Sequence, residues 1–180
     1  MAPSSPQGQV LYAQADNDIV VIRVAGRGNF DLSPSLKRVA ERFSGPRSSP
    51  RYIMDLAQCP SLDSTFMGMM AAMGLHQMTC IKEKIVVVNV NGTTETQLTK
   101  LGLKYLLDIH GKDASVLPVP ESEFQASRPE AQSRFEQTVH MIESHQALID
   151  ANSGNEIQFR SVLDSLSASL DRETRGRTSP

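Results

Sequence analysis

The chain lacks several features that would indicate a particular compartment or chemistry. Among its 180 residues there is no tryptophan, and only 5% are aromatic. The two cysteines, Cys59 and Cys80, form no Cys-x-x-Cys motif, so we expect neither a disulfide framework nor a zinc site. No apolar run reaches the length of a membrane span, and the first residues do not resemble a signal peptide. We therefore expect a soluble, cytoplasmic protein that holds no metal or cofactor and does not bind membranes.

An excess of charge of one sign is also missing. Lysine and arginine number 18 against 20 acidic residues, which gives a formal net charge of −2. Such a balance provides no electrostatic support for direct binding to nucleic acid. The three arginines near the end of the chain are typical of a solubilising terminus: Arg172, Arg175 and Arg177.

Motifs for nucleotide binding are incomplete. Gly26-Arg27-Gly28 follows an apolar run, as the first glycines of a dinucleotide fingerprint do. The third glycine of that fingerprint would fall at Asp31, whose carboxylate would repel a pyrophosphate. The phosphate-binding motif G-x-x-x-x-G-K-[ST] is absent as well. We therefore do not expect a nucleotide site.

A hydrolase or metal constellation is not visible either. Ser64 lacks the glycines of the G-x-S-x-G motif, since Leu62 and Phe66 stand at those positions. His140 and His145 are five residues apart, a spacing that puts them on different faces of a helix. We expect these histidines at a surface or between helices, and we expect the protein not to be an enzyme.

Hydrophobic periodicity predicts an α/β fold with elements in the order β-β-α-β-α-β-α. Two strands surround the turn Asp16-Asn17-Asp18, and Ser33-Pro34 starts a helix. A capping box at Thr94 and Gln97 predicts a further helix to about Ile109. The sheet should be mixed, with parallel later strands. The predicted strands are Val10–Ala15, Ile19–Ala25, Tyr52–Leu56 and Lys84–Val90.

The composition changes after Pro118 and predicts five segments. We expect a disordered N-terminus at 1–8, a sheet domain at 9–118, a linker at 119–126, a helical hairpin at 127–171 and a disordered tail at 172–180. The hairpin helices should start at Ser127-Pro129-Glu130 and at Ser153 with Glu156. Each has an apolar stripe that must be buried on the sheet domain, on a second copy or on a partner. The sequence leaves these three alternatives open, a homodimer through the hairpin included.

The most informative stretch is the junction between the third strand and the helix after it. Asp63-Ser64-Thr65 stands where the first N–H groups of that helix lack partners and where the helix dipole favours negative charge. A hydroxyl at this point can cap the helix, act as a nucleophile or carry a phosphate. Asp63 is an N-cap candidate in its own right. The methionines that follow are typical of core packing or of an adaptable partner surface: Met67, Met70 and Met73.

The run YIMDLAQCPSLDSTFMGMMAAM, which contains this junction, resembles the central motif of STAS domains, the fold of bacterial anti-sigma factor antagonists. In that motif an apolar strand ends in Asp-Leu, here Asp55-Leu56, and Asp-Ser-Ser/Thr precedes an apolar helix. The segments GRGNFDLSPSLKRV, KIVVVNV and TETQLTKLGLKYLLDI also fit the family, so that the resemblance extends from about Val10 to Pro118. Two departures are the larger residues Phe66-Met67 before Gly68, and the hairpin after Pro118.

The resemblance implies a STAS-like mixed sheet packed by helices and a signalling role in transcription regulation. The protein would bind an anti-sigma factor with serine/threonine kinase activity and would be released when Ser64 or Thr65 is phosphorylated. A phosphatase would restore binding. The implied contact residues are Asn29, Asp31, Asp63, Phe66, Met67 and Gly68. The alternatives are a scaffold or oligomerisation protein without a phosphoswitch, and an enzyme in which Ser64 is a nucleophile.

Overall fold

Six strands form one mixed sheet in the order β5-β4-β3-β2-β1-β6. The structure, a computed structural model, describes residues 8–16, 18–112, 117–128 and 131–177. The strands are β1 (Gln9–Asp16), β2 (Ile19–Ala25), β3 (Arg51–Asp55), β4 (Ile85–Val90), β5 (Leu107–Gly111) and β6 (Gln125–Ala126). The helices are α1 (Ser33–Phe43), α2 (Ser64–Ile81), α3 (Gly92–Lys100), α4 (Arg134–Ala151) and α5 (Glu156–Arg177). Short 3₁₀ turns lie at Leu103–Tyr105, Glu121–Glu123 and Ser153–Asn155.

The pairing of the strands confirms the predicted mixed sheet. Strand β1 is antiparallel to both β2 and β6. Strands β2, β3, β4 and β5 are parallel to one another. In a parallel arrangement the carboxyl ends of the strands lie at one edge of the sheet, and polar residues that follow them are brought together there. The loop after β2 and the turn after β3 are placed at that edge.

One face of the sheet packs against helices α1 and α2. Alternate residues of the central strands point to this face and are fully or almost fully buried, among them Ile22, Met54 and Val87. Helix α2 is buried around most of its circumference, as expected for a helix that is apolar on all sides. The three methionines for which the sequence left core packing and a partner surface open are buried there: Met67, Met70 and Met73.

The other face of the sheet is partly covered by residues 117–124. Arg23 on β2 donates from Nε to Asp55 Oδ2 at 3.0 Å, and its Nη1 contacts Glu121 at 2.6 Å. The Arg23 guanidinium also lies 4.2 Å from the centroid of the Phe124 ring. Burial lowers the pKa of Arg23, but its hydrogen bonds to Glu121 and Asp55 outweigh burial and raise it overall.

The segment expected to be a linker, 119–126, therefore takes part in the fold. It contains the 3₁₀ turn with Glu121 and the strand β6, which pairs with β1 through Leu11–Ala126 and Tyr12–Gln125. Charged and proline-rich composition suggested a linker, but a salt bridge to a buried arginine and an open edge of β1 provide the partners that order it.

The helix predicted from Thr94 to Ile109 is wrong in both its bounds and its cap. Asn91, not Thr94, is the N-cap, and its side chain accepts from the Thr94 amide at 2.9 Å. The helix ends at Lys100, because Gly102 takes the left-handed conformation with φ of 74°. The chain then forms strand β5, which pairs in parallel with β4.

The C-terminal hairpin is present, but its first helix starts later than predicted. Ser133 and Glu136 form a capping box at the start of α4. Ser127, the predicted start, instead donates its hydroxyl to the Ser35 carbonyl oxygen at 2.8 Å. The second helix, α5, begins at Glu156 as predicted, but Ser153 does not cap it and lies instead in a 3₁₀ turn that is capped by Asn152.

Three expectations fall wholly or partly outside the described residues: the disordered start of the chain, the turn residue Asn17 and the helix-start residues Pro129 and Glu130. Of the tail predicted at 172–180, residues 172–177 belong to α5. Within the described ranges, none of the helices has the length and apolar character needed to cross a bilayer.

The buried Arg23–Asp55 pair gives a stability prediction. Asp55→Ala removes the acceptor of Arg23 and also the acceptor of the Ala57 amide and the Asn89 side chain. Because it leaves a buried charge with fewer partners, we expect it to lower the free energy of unfolding by about 3 kcal/mol in urea titrations. Glu83→Ala removes the exposed ion pair with Arg51 and should cost less than about 1 kcal/mol. Equal losses of unfolding free energy in the two variants would contradict a larger contribution of the buried Arg23–Asp55 pair.

Candidate functional site

Asp63 connects the start of α2 to the loop that follows β2. Its Oδ1 accepts from the Phe66 amide at 2.9 Å, which confirms the predicted N-cap. Its Oδ2 accepts from the Phe30 amide at 2.7 Å. The backbone adds two further bonds, from the Asp63 amide to the Gly28 carbonyl at 2.8 Å and from the Gly28 amide to the Ser61 carbonyl at 3.0 Å. The two loops thus form one rigid surface at the carboxyl edge of the sheet.

The predicted contact residues of the first loop belong to this surface. Asn29 accepts from the Leu32 amide at 3.2 Å through its side-chain oxygen and is half-buried. Asp31 is exposed. Because Phe30, between them, is bonded to Asp63, both residues lie beside the start of α2. Three of the residues predicted to contact a partner, Asn29, Asp31 and Asp63, are therefore neighbours in the structure.

The two candidate hydroxyls differ in access. Ser64 is the first residue of α2 and is half-buried. Thr65 is 5% exposed and points into the interior. Phe66, Met67 and Gly68 are buried as well. These three predicted partner contacts are not on the surface in this conformation.

The Phe66 ring lies beside Gly28 of the loop after β2, whereas Gly68 is covered by helix α4. This helix lies along α2, and the backbones approach so closely that a Cβ atom at Gly68 would overlap the carbonyl oxygen of Ser144. A side chain of any size at Gly68 would therefore separate the two helices. Gly68 is thus a packing position for the chain's own C-terminal hairpin, which packs in cis in this structure.

Two histidines of α4 contact the first residues of two helices. His145 Nε2 lies 3.1 Å from Ser64 Oγ, and His140 Nε2 lies 2.8 Å from Ser33 Oγ. His145 Nδ1 is 2.8 Å from the Met141 carbonyl, which can only accept, so Nδ1 carries a proton. In the neutral ring Nε2 is then the acceptor, and the Ser64 hydroxyl donates to it.

His140 is 2% exposed, and its environment disfavours the charged form. Burial lowers the pKa of His140, the positive charge of Lys37 lowers it further, and Glu143 acts in the opposite direction. Lys37 Nζ and Glu143 Oε2 are themselves paired at 2.8 Å. A neutral His140 is therefore part of the docked position of α4.

Sequence reasoning missed this polar contact between α4 and the sheet domain. The sequence predicted an apolar stripe on this helix, which is half-buried in the structure, but not the side that is most deeply buried. That side holds four polar residues and two apolar ones: Thr138, His140, Ser144, His145, Ala147 and Leu148. The available signal was the set of small and polar residues that recurs at helical spacing beside the apolar stripe.

The Ser64–His145 contact has the donor and acceptor arrangement of a base-activated hydroxyl. Neither of two surface clefts adjoins Ser64. One of about 310 Å³ lies between α1 and α4, and another of about 220 Å³ lies between α1 and α2. Over the described ranges, no three His, Cys, Asp or Glu residues are grouped so that they could hold a metal ion.

Comparison with protein-family models finds no match to this chain, and comparison with curated proteins finds no significant similarity.

The double role of Asp63 can be tested by substitution. Asp63→Ala leaves the Phe30 and Phe66 amides without their acceptor, and we expect it to lower the free energy of unfolding by about 2 kcal/mol. Asp63→Asn retains one acceptor oxygen and should recover part of the loss. Asp31→Ala, at an exposed position of the same loop, should change stability by less than about 0.5 kcal/mol. A loss in Asp63→Ala no larger than that of Asp31→Ala would show that the junction is not held by this carboxylate.

Burial of neutral His140 predicts a dependence of stability on pH. The unfolded histidine gains a proton below about pH 6.5, whereas the folded one does so only at lower pH. The unfolded state therefore binds more protons in this interval, and stability falls as pH drops below about 6.5. When the pH is lowered from 7.5 to 5.5, we expect the free energy of unfolding of His140→Gln, measured in urea titrations, to fall by about 1 kcal/mol less than that of the wild type. Parallel curves for wild type and His140→Gln would refute this role of His140.

Proposed function

We propose that this protein is a phospho-regulated protein-interaction module of the STAS type that antagonises an anti-sigma factor. The observation that carries the proposal is the position of Ser64. This hydroxyl is the first residue of α2, lies next to the capping carboxylate of Asp63 and borders the surface formed with the Asn29–Asp31 loop. The resemblance of the Tyr52–Met73 segment to the STAS motif supports the same proposal, as does the position of this segment at the carboxyl edge of the parallel strands.

The difference in burial favours Ser64 over Thr65 as the phosphate acceptor. A kinase needs the hydroxyl to enter its own active site, and Ser64 at the helix start is half-exposed while Thr65 is almost fully enclosed. The helix N-terminus also provides amide groups and a partial positive charge that stabilise a phosphate.

The effect of phosphorylation follows from local electrostatics. A phosphate brings about −1.5 to −2 charges to a position already next to Asp63 and near Asp31. A partner that docks on this surface would have to desolvate that dianion beside two carboxylates. We expect a loss of affinity on the order of a hundred-fold, with no change in the fold of the sheet.

The partner on this proposal is a cytoplasmic anti-sigma factor that carries serine/threonine kinase activity, and a phosphatase restores the binding-competent form. The rim available to such a partner consists of Asn29, Asp31 and Asp63, which are half-buried or exposed. Phe66, Met67 and Gly68 are buried, and Gly68 can contact a partner only after α4 moves, because α4 covers it.

The second candidate is a STAS scaffold or oligomerisation protein without a phosphoswitch. One observation favours it: the face implied for the partner is covered by the chain's own hairpin. In that case the outer helix α5 provides the surface for binding or self-association. Its Ile157 is 93% exposed.

Phosphosite mapping of the protein purified from its native cells separates the two candidates. We expect phosphate on the wild type and on Thr65→Val, and none on Ser64→Ala. Phosphate that persists at Thr65 in Ser64→Ala would show that the wrong hydroxyl is assigned. Complete absence of phosphate from the wild type under several growth conditions would favour the scaffold.

A further inference from the structure

The contacts of α4 define a helix-binding surface on the sheet domain. Three small residues form its contact points, Ser33 at the start of α1 and Ser64 and Gly68 in the first turns of α2. Opposite them lie His140, Ser144 and His145 of α4. We call Ser33, Ser64 and Gly68 the helix-docking face.

The α4 side of this interface has the composition of a separable contact. Four of its six buried residues are polar, whereas interfaces that never separate are more hydrophobic. The Ser144 hydroxyl is buried, and in the part of the chain that the structure describes it has no hydrogen-bond partner. Burial of such a group without a partner costs stability. The cleft of about 310 Å³ between α1 and the N-terminal half of α4 shows that the packing there is incomplete.

Docked α4 and a modified or partner-bound Ser64 exclude each other. Ser64 Oγ is within 3.1 Å of His145 Nε2, a distance that leaves no room for a phosphoryl group between them. The close contact of Gly68 with the Ser144 backbone leaves no room for a second helix. Any partner that contacts Gly68 must therefore take the place of α4.

We propose that the α4–α5 hairpin is a cis-acting competitor for the helix-docking face, and that the partner which displaces it presents a helix of similar chemistry. Such a helix has a small residue opposite Gly68 and hydrogen-bonding side chains that reach Ser33 and Ser64. In α4 the corresponding side chains are His140 and His145, which are five residues apart, about 7.5 Å along the helix axis. Helix α5 leaves with α4, since Phe159 packs on the His145 ring at 5.3 Å. This inference rests on the proposed interaction module and adds its regulation.

Reciprocity follows from linkage. If docked α4 lowers the affinity of a partner by a given factor, the bound partner lowers the equilibrium constant for docking of α4 by the same factor. The stability of the docked hairpin then sets the partner concentration that is needed for binding.

Ser144 offers variants that move the equilibrium in both directions. Ser144→Ala removes the unpartnered hydroxyl and should favour docking. Ser144→Leu adds bulk where the Ser144 Cβ faces Gly68 and should favour release. Gln146→Ala and Gln146→Leu make the same changes at an exposed position of α4 and serve as matched controls.

The first readout is amide hydrogen exchange of the full chain. We expect α4 and the first turn of α2 to exchange through a common opening while β2 and β3 stay protected. Relative to wild type, this exchange should be roughly five-fold slower in Ser144→Ala and more than about ten-fold faster in Ser144→Leu. The Gln146 controls should match the wild type. Exchange of α4 only at the rate of β2 and β3 would overturn the proposal, because the hairpin would then open only on global unfolding.

The second readout uses a fluorescent peptide with the sequence of residues 134–151 as the displacing helix. We expect it to bind the full-length Ser144→Leu protein at least about ten-fold more tightly than Ser144→Ala, since only the former leaves the helix-docking face open. Equal affinity for the two variants, or no binding to either, would overturn the proposal. Neither readout depends on phosphorylation. A protein that opens and binds the peptide but never carries phosphate would contradict the phosphoswitch and leave the competing hairpin in place.

Discussion

The structure depends on how the first turn of α2 is held. The Asp63 carboxylate accepts from Phe66 in its own helix and from Phe30 in the neighbouring loop, so that one side chain both caps the helix and fixes the loop beside it. Without this carboxylate two amides at the carboxyl edge of the sheet would lack their acceptor. Because the two loops are fixed together, Ser64 has a defined position and direction, which a modification site or a docking site requires.

The same turn is also where the C-terminal hairpin meets the sheet domain. Small residues permit the contact: Gly68 allows the backbones of α2 and α4 to touch, and Ser64 and Ser33 each share a hydrogen bond with a histidine of α4. The contact is close but polar, and the helix that makes it occupies the place a partner would need. The C-terminal hairpin therefore packs directly on the first turns of α2, and on our proposal α4 governs access to Ser64.

What the sequence could predict was local. Asp63 as a cap, Ser64 at the helix start and the parallel sheet follow from short-range patterns, and all three agree with the structure. Strand β5 was predicted as part of a helix because Leu98, Leu101 and Ile109 fit a helical spacing. In the structure the helix ends before Gly102, and the residues that follow form a strand that pairs with β4. The docking of α4 could not be predicted from the sequence, because its histidines contact serines that are 81 and 107 residues away. No local pattern encodes such a pairing.

The docked position of α4 is tested most directly by a measurement on the contact between Ser64 and His145. Long-range ¹H–¹⁵N NMR spectra of the imidazole rings would show which nitrogen of His145 carries the proton. We predict a single neutral tautomer protonated at Nδ1, with a Nε2 shift that changes in Ser64→Ala but not in Thr65→Val. A mixture of tautomers, as in a solvent-exposed ring, with no response to Ser64→Ala would contradict the docked position of α4.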